Sequence, residues 1–123
     1  KRALLLAVSA PFHSSLMKPA ADALRERLAG VAIASPSIPV VNNIDVTVQT
    51  EPGAIRDALY RQAFGPVRWV EVTQALKARG LRHIFECGPG KVLSGLVKRI
   101  DVELVSTTVL DPASLAAAKE LLA

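Results

Sequence analysis

The sequence has few of the residues that mark secreted, metal-binding or nucleic-acid-binding proteins. It contains one cysteine, Cys87, in 123 residues, so neither an internal disulfide nor a paired-cysteine zinc site can form, and a reducing compartment, the cytoplasm, is expected. Aromatic residues make up 4% and the net charge is +4, which offers little for nucleic acid to stack on or bind. No apolar run approaches the roughly 20 residues of a membrane-spanning helix. We therefore expect neither nucleic acid nor a membrane as a partner.

The length and composition predict one folded domain. Apolar residues make up 50% of the chain and charged residues 21%, which is typical of globular proteins. No linker, repeat or low-complexity tract interrupts residues 1–123, so no internal domain boundary is predicted. The chain begins at Lys1 rather than at a methionine, inside an apolar stretch that is typical of a strand. We therefore expect it to be a piece of a longer protein.

Strands and helices alternate along the chain. Short runs of apolar or β-branched residues predict strands, and apolar residues three and four positions apart predict helices. The predicted strands cover residues 3–8, 38–41, 81–87 and 103–108, with 45–50 either a further strand or an extended loop. The predicted helices run from Ser14 or Ser15, as the capping residue, to Gly30, from 51–53 to Gly65, from Pro66 to Gly80, from 91 to 100 and from Pro112 onward. This order predicts an α/β fold with a mostly parallel sheet and helices on both faces.

Two segments are candidates for chemistry. The loop Gly88-Pro89-Gly90 follows a predicted strand, as phosphate-binding loops do, but it matches neither phosphate motif completely. His13 lies between a predicted strand and helix, where ligands bind in parallel α/β sheets, so it is either a catalytic group or a packing residue. His83, inside a strand, is assigned no role. No Gly-x-Ser-x-Gly motif is present, so the chain holds no serine nucleophile of that kind.

Several segments in order resemble one enzyme family. They are Ser9-Ala10-Pro11-Phe12-His13-Ser14-Ser15-Leu16-Met17-Lys18-Pro19-Ala20, Pro39-Val40-Val41-Asn42-Asn43, Arg61-Gln62, Pro66-Val67-Arg68-Trp69 and Glu86-Cys87-Gly88-Pro89-Gly90-Lys91-Val92-Leu93. Together they resemble malonyl-CoA:acyl-carrier-protein transacylase, over essentially the whole chain. The resemblance is to the C-terminal part of the catalytic domain. It implies an α/β-hydrolase-like core that is incomplete without an N-terminal segment.

The resemblance also implies roles for three residues. His13 matches the general base that activates a serine supplied by the N-terminal segment. Gln62, which by itself would be read as a solvated helix residue, matches the residue whose carbonyl accepts a hydrogen bond from the other imidazole nitrogen. Phe12 matches a position associated with selection of malonyl over methylmalonyl groups, although packing of the loop onto the core would also explain a phenylalanine there.

The implied activity is transfer of a malonyl group from malonyl-CoA to the phosphopantetheine thiol of acyl-carrier protein in fatty acid biosynthesis. It implies no cofactor and no metal, and the chain alone is expected to be inactive. Acyl-carrier proteins of this pathway are acidic, and cations outnumber acids between residues 77 and 99; they are Lys77, Arg79, Arg82, Lys91, Lys98 and Arg99 against Glu86. These cations either attract the carrier protein or form an ordinary solvated surface. The alternative functions are a non-catalytic module that binds a phosphorylated ligand at Gly88-Pro89-Gly90, and a remnant that only pairs with another chain.

Overall fold

The computed structural model describes residues 8–122, which divide into two compact units with the boundary in sequence between Trp69 and Val70. The helices of the described residues are α1 (Lys18–Ala29), α2 (Pro52–Gln62), α3 (Trp69–Ala78), α4 (Val92–Ile100) and α5 (Pro112–Glu120). The strands are β1 (His83–Cys87) and β2 (Val105–Val109), and a 3-10 turn, Ser15–Met17, precedes α1. The class is α/β, as predicted.

The first unit is built on α1 and α2, which pack against each other. Each of these helices buries an alanine, Ala21 in α1 and Ala58 in α2. The Arg56 side chain of α2 donates hydrogen bonds to the main-chain oxygens of Leu28, at 3.1 Å, and Val31, at 2.8 Å. The last carbonyls of a helix have no partner within the helix, so Arg56 covers this end of α1.

The second unit is a β-α-β arrangement followed by a helix. Strands β1 and β2 pair in parallel, with His83 opposite Val105 and Cys87 opposite Val109. Helix α4 connects the two strands and contacts both, and α5 contacts β2. Helix α5 begins with a capping box in which Ser114 N donates to Asp111 Oδ1 at 2.8 Å and Asp111 N donates to Ser114 Oγ at 3.0 Å. Such a box satisfies amides that the first helical turn leaves without partners.

Some predicted strand and helix boundaries are wrong. Among residues 8–122, the segment 38–41 is not a strand: Ile38 lies in a bend, and the segment forms one antiparallel bridge, between Val41 and Val48. β-Branched residues make a strand only where a neighbouring strand supplies a ladder. The helix predicted from Pro66 begins three residues later, at Trp69. The segment 45–50 is neither the predicted strand nor an extended loop: residues 45–47 lie in a turn, in which Val46 has φ at 59°, and Val48 forms the bridge to Val41. The predicted strand 3–8 lies outside the described residues apart from Val8.

The buried core of the described residues is small. Its buried apolar residues are Ala21, Ala58, Val72, Val97, Leu104 and Ala118, three of which are alanines. Many larger apolar side chains are exposed, among them Leu16 (73%), Ile38 (73%), Val92 (71%) and Val102 (90%). Monomeric proteins rarely leave this much apolar surface open to water. Within residues 8–122, none of the helices has the length and apolar character that a membrane crossing requires.

Candidate active site

His13 lies in a tight turn that leads into the first helices. Its backbone is left-handed, with φ at 57°, a conformation that costs a non-glycine residue about 1–3 kcal/mol. The turn is closed by Ser14, whose hydroxyl donates to Pro11 O at 2.7 Å. The prediction that a serine side chain caps the helix is wrong, because Ser14 stands at the cap position of the 3-10 turn but makes no capping hydrogen bond with its side chain. The serine instead shapes the loop that carries His13.

The imidazole of His13 is anchored by two main-chain carbonyls. Nδ1 lies 3.1 Å from Gln62 O and 3.2 Å from Gly65 O. A carbonyl oxygen can only accept a hydrogen bond, so Nδ1 must carry the proton. In the neutral ring this leaves the lone pair on Nε2. A histidine with this tautomer can accept a proton at Nε2 from a nearby hydroxyl or thiol.

The two acceptor oxygens belong to the carboxyl end of α2. Gln62 is the last residue of α2, and Gly65 N donates to Arg61 O at 2.9 Å, which continues the turn beyond the helix. Carbonyls at this position lack partners within the helix. The structure therefore brings His13 and Gln62 together through the main chain of Gln62. The Gln62 side chain points elsewhere, and its Oε1 accepts from Asn43 N at 3.2 Å.

A loop of residues 42–47 packs against the same end of α2. Arg61 donates to both carboxylate oxygens of Asp45, from Nη1 to Oδ1 and from Nη2 to Oδ2, each at 2.7 Å. Arg61 Nε also donates to Asp57 Oδ2 at 2.6 Å. The Arg61 hydrogen bonds lower the pKa of Asp45, and the two carboxylates, Asp45 first, raise the pKa of Arg61. Asn43 O also accepts from Arg68 N at 3.2 Å, so the loop bonds both to α2 and to the segment beyond it.

A second group of side chains joins α1 to α2. Lys18 Nζ donates to Asp22 Oδ1 at 2.9 Å and also to Tyr60 Oη, and Tyr60 Oη donates to Asp22 Oδ1 at 3.0 Å. The Arg25 guanidinium lies 4.7 Å from the centre of the Tyr60 ring. The hydrogen bonds that Lys18 donates to Tyr60 and to Asp22 raise the pKa of Lys18. These contacts fix α1, and so the loop before it, against the helix that supplies the carbonyls.

Sequence reasoning missed Asp45, Arg61 and Gly65 as parts of this arrangement. The spacing of Asp57 and Arg61 by four residues is a recognisable helical ion pair, but nothing in the sequence connects Arg61 with Asp45, sixteen positions earlier. Phe12, beside His13, is 60% exposed. Packing onto the core of the described residues therefore does not account for it.

The helix N-terminus that follows the loop Gly88-Pro89-Gly90 already binds a carboxylate of the chain itself. Glu86 Oε1 accepts from Leu93 N at 3.0 Å and Oε2 from Ser94 N at 2.8 Å, and these hydrogen bonds, that from Ser94 first, lower the pKa of Glu86. The amides of this helix end are thus already bound to an anion, which would repel a phosphate. The phosphorylated-ligand alternative is not favoured.

The remaining candidates do not gather into a second centre. His83 is exposed on β1 and meets the Phe85 ring edge-on, and Cys87 is an exposed free thiol. Of the cations between 77 and 99, Lys77 is engaged by Asp101 and Glu103, each at 2.5 Å, while Lys98 and Arg99 are exposed in the last turn of α4. Among residues 8–122, no group of three or more His, Cys, Asp or Glu side chains is placed to bind a metal ion.

Fold and site together define an α/β segment that presents a histidine with its Nε2 lone pair available and its Nδ1 fixed by a helix end. No family model matches the chain. Among curated proteins it is 51% identical over 118 residues to the malonyl CoA-acyl carrier protein transacylase of Salmonella typhimurium, covering 96% of the chain and 38% of that protein. It is 46% identical to the transacylase of the same name from Bacillus subtilis, covering 91% and 35%.

Solved structures give the same result. The acyl-carrier-protein S-malonyltransferase of Burkholderia pseudomallei is 64% identical with a TM-score of 0.92, covering 98% of this chain and 39% of that one. A malonyl-transacylase solved in complex with a type II PKS acyl-carrier protein is 50% identical with a TM-score of 0.94, at the same coverage. The chain thus matches a segment of malonyl CoA-acyl carrier protein transacylase, and the predicted resemblance is confirmed. It spans about two fifths of the length of these relatives.

Proposed function

We propose that this chain is the C-terminal portion of the catalytic domain of a cytoplasmic [acyl-carrier-protein] S-malonyltransferase of fatty acid biosynthesis. The chain is then part of an α/β-hydrolase-like core, whose wider parallel sheet is completed by an N-terminal segment. The small alanine-rich core and the exposed apolar side chains support this, because they require a covering layer. An open apolar groove of about 250 Å³ in the first unit, with Ile33, Val40, Ile55 and Leu59 in its wall, fits the same reading.

The observation that carries the proposed activity is the anchoring of His13 Nδ1, at 3.1 and 3.2 Å from two carbonyls. His13 Nε2 takes the proton of a serine hydroxyl from the N-terminal segment as the serine oxygen attacks the thioester carbonyl of malonyl-CoA. The tetrahedral intermediate expels the CoA sulfur, which receives that proton from Nε2, and a malonyl-serine ester remains. No cofactor or metal enters this step.

The second half of the reaction repeats these transfers in reverse order. Nε2 takes the proton of the phosphopantetheine thiol of acyl-carrier protein, the sulfur attacks the ester carbonyl, and the serine oxygen leaves with the proton from Nε2. Gln62 and Gly65 orient the ring throughout with neutral carbonyls, in the place where a Ser-His-Asp triad has a carboxylate. Phe12, exposed beside His13, is the residue that would meet the substituent at the malonyl α-carbon.

The charge of the chain fits an acidic carrier protein as the acceptor substrate. The exposed Lys98 and Arg99 lie at the carboxyl end of α4, where cations attract an acidic carrier protein and increase its rate of association. The relative solved with its acyl-carrier protein supports a partner of this class. Malonyl-CoA is the proposed acyl donor.

A matched pair of histidine variants tests the proposal. In the complete protein that contains this segment, we expect His13→Gln to lower malonyl transfer to acyl-carrier protein by about 10²- to 10⁴-fold, the usual contribution of a general base. His83→Gln, which changes the other histidine of the chain, should leave the rate within about twofold of the parent. The measurement is formation of malonyl-acyl-carrier protein by intact mass. Wild-type turnover in the His13 variant would refute the assignment, and the 123-residue chain alone should show none.

A further inference from the structure

We propose that the ion pair between Asp45 and Arg61 is a positioning device for His13, acting through the carboxyl end of α2. This inference rests on the proposed function, for which His13 is the base. The pair touches neither His13 nor a substrate, so Asp45 and Arg61 are positioning residues rather than catalytic ones.

The connection from the ion pair to the imidazole is short. Arg61 immediately precedes Gln62, whose carbonyl lies 3.1 Å from His13 Nδ1. The main-chain oxygen of Arg61 also accepts from Gly65 N at 2.9 Å, and Gly65 supplies the second carbonyl at 3.2 Å from the same nitrogen. A rotation of the last turn of α2 that moves Arg61 therefore moves both acceptors of His13 together.

The bond geometry between Arg61 and Asp45 suits this role. Two parallel hydrogen bonds, each 2.7 Å long, join the planar guanidinium to the planar carboxylate, and such a forked pair fixes orientation as well as distance. The pair is more sheltered than an ordinary surface ion pair, with side-chain exposures of 35% for Arg61 and 28% for Asp45. Beside it, the Asn43 amide donates to Gln62 Oε1 at 3.2 Å. The loop of residues 42–47 thus binds this helix end at two successive positions, Arg61 and Gln62.

Asp57 provides a matched control. It accepts from the same arginine, at 2.6 Å from Nε, but it lies on α2 itself and its side chain is 59% exposed. Asp57→Asn removes an ion pair of Arg61 without removing any contact between α2 and the loop. Asp45→Asn breaks the forked ion pair between Arg61 and the loop, leaves the bond from Asn43 N to Gln62 Oε1 in place, and changes the side-chain volume little.

The kinetic test uses the complete protein with active sites counted by malonyl labelling. Asp45→Asn should lower kcat about 10- to 100-fold, the loss expected when a reacting group is displaced by up to about 1 Å, with KM for malonyl-CoA unchanged. Asp57→Asn should stay within about twofold of the parent, and Asp45→Glu, which keeps a carboxylate, should recover part of the loss. Equal decreases of kcat in Asp45→Asn and Asp57→Asn would overturn the proposal.

The spectroscopic test reads the His13 ring directly. In the same protein with ¹⁵N-labelled histidine, at alkaline pH, we expect the wild type to show His13 protonated on Nδ1 alone, and Asp45→Asn to show a mixture of both tautomers. His13→Gln assigns the signals. If Asp45→Asn does not fold, the same measurement is made on Arg61→Lys. This variant keeps the positive charge and loses the two parallel hydrogen bonds to Asp45. A folded variant with the wild-type tautomer overturns the proposal. If His13→Gln retains activity, the proposed function fails, while the tautomer measurement still decides whether the ion pair orients the ring.

Discussion

Replacement of Gly65 by alanine should both destabilise the protein and disturb the histidine. A Cβ at this position would lie 2.2 Å from Ile44 Cδ1 and 2.9 Å from Arg61 O, whereas carbon atoms in contact normally keep about 3.5–4.0 Å. The Ile44 methyl can rotate away. Arg61 O cannot, because it is a main-chain atom that accepts from Gly65 N at 2.9 Å. We expect Gly65→Ala to lower the free energy of unfolding by about 1–3 kcal/mol, the usual cost of overpacking.

Another glycine, Gly53 of α2, provides a control whose replacement by alanine should raise the free energy of unfolding instead of lowering it. A Cβ at Gly53, in the first turn of α2, meets nothing within 4 Å, and its glycine raises the entropy of the unfolded chain. Gly53→Ala should therefore raise the free energy of unfolding by about 0.4–1 kcal/mol. Urea unfolding of both variants in the complete protein measures the difference. Ile44→Val removes the clashing Cδ1, so the double variant with Gly65→Ala should recover part of the loss. Equal stabilities of Gly65→Ala and the parent would refute the packing argument.

The remaining predictions concern the two substrates. Phe12→Ser should raise turnover of methylmalonyl-CoA relative to malonyl-CoA by roughly 5- to 150-fold, because one methyl group in a pocket is worth about 1–3 kcal/mol; an unchanged ratio in competition assays would exclude Phe12 from selectivity. Charge reversal by Lys98→Glu with Arg99→Glu should raise KM for acyl-carrier protein at low salt severalfold, and the difference from wild type should shrink as salt is added, because screening weakens attraction between exposed charges. Unchanged carrier-protein kinetics at low salt would exclude docking at this helix end.

Local sequence patterns predicted the parts of the fold that local interactions determine. The stripe of apolar residues in α4 and the glycines at helix ends gave helices close to those observed, and Gly80, with φ at 89°, takes the conformation that suits a glycine after a helix. The segment 38–41 was wrongly predicted as a strand because pairing depends on a partner elsewhere in the chain. Its composition is typical of a strand, but the described part of the chain, residues 8–122, places only Val48 opposite Val41.

The site was harder to predict because its decisive acceptors are main-chain atoms. Every residue carries a main-chain carbonyl, so the residue types at positions 62 and 65 do not indicate that their oxygens accept a hydrogen bond from His13. The position of His13 between strand and helix suggested a functional residue, and only the resemblance indicated Gln62. The contact between Asp45 and Arg61 was not predicted, since it depends on where the loop of residues 42–47 packs once α2 has formed.

A carbonyl at a helix end makes the orientation of the histidine depend on backbone placement rather than on one side chain. Truncation of Gln62 to alanine leaves its main-chain oxygen in place and removes only the bond from Asn43 N, whereas alanine at Gly65 displaces the backbone itself. If the proposed role of His13 is correct, the glycine should therefore tolerate substitution less well than the glutamine, the reverse of what a triad with a side-chain orienter would show. The residues that fix the end of α2 then determine the orientation of His13. A larger loss of activity in Gly65→Ala than in Gln62→Ala indicates that the backbone orients the ring, and the opposite order indicates a side-chain orienter.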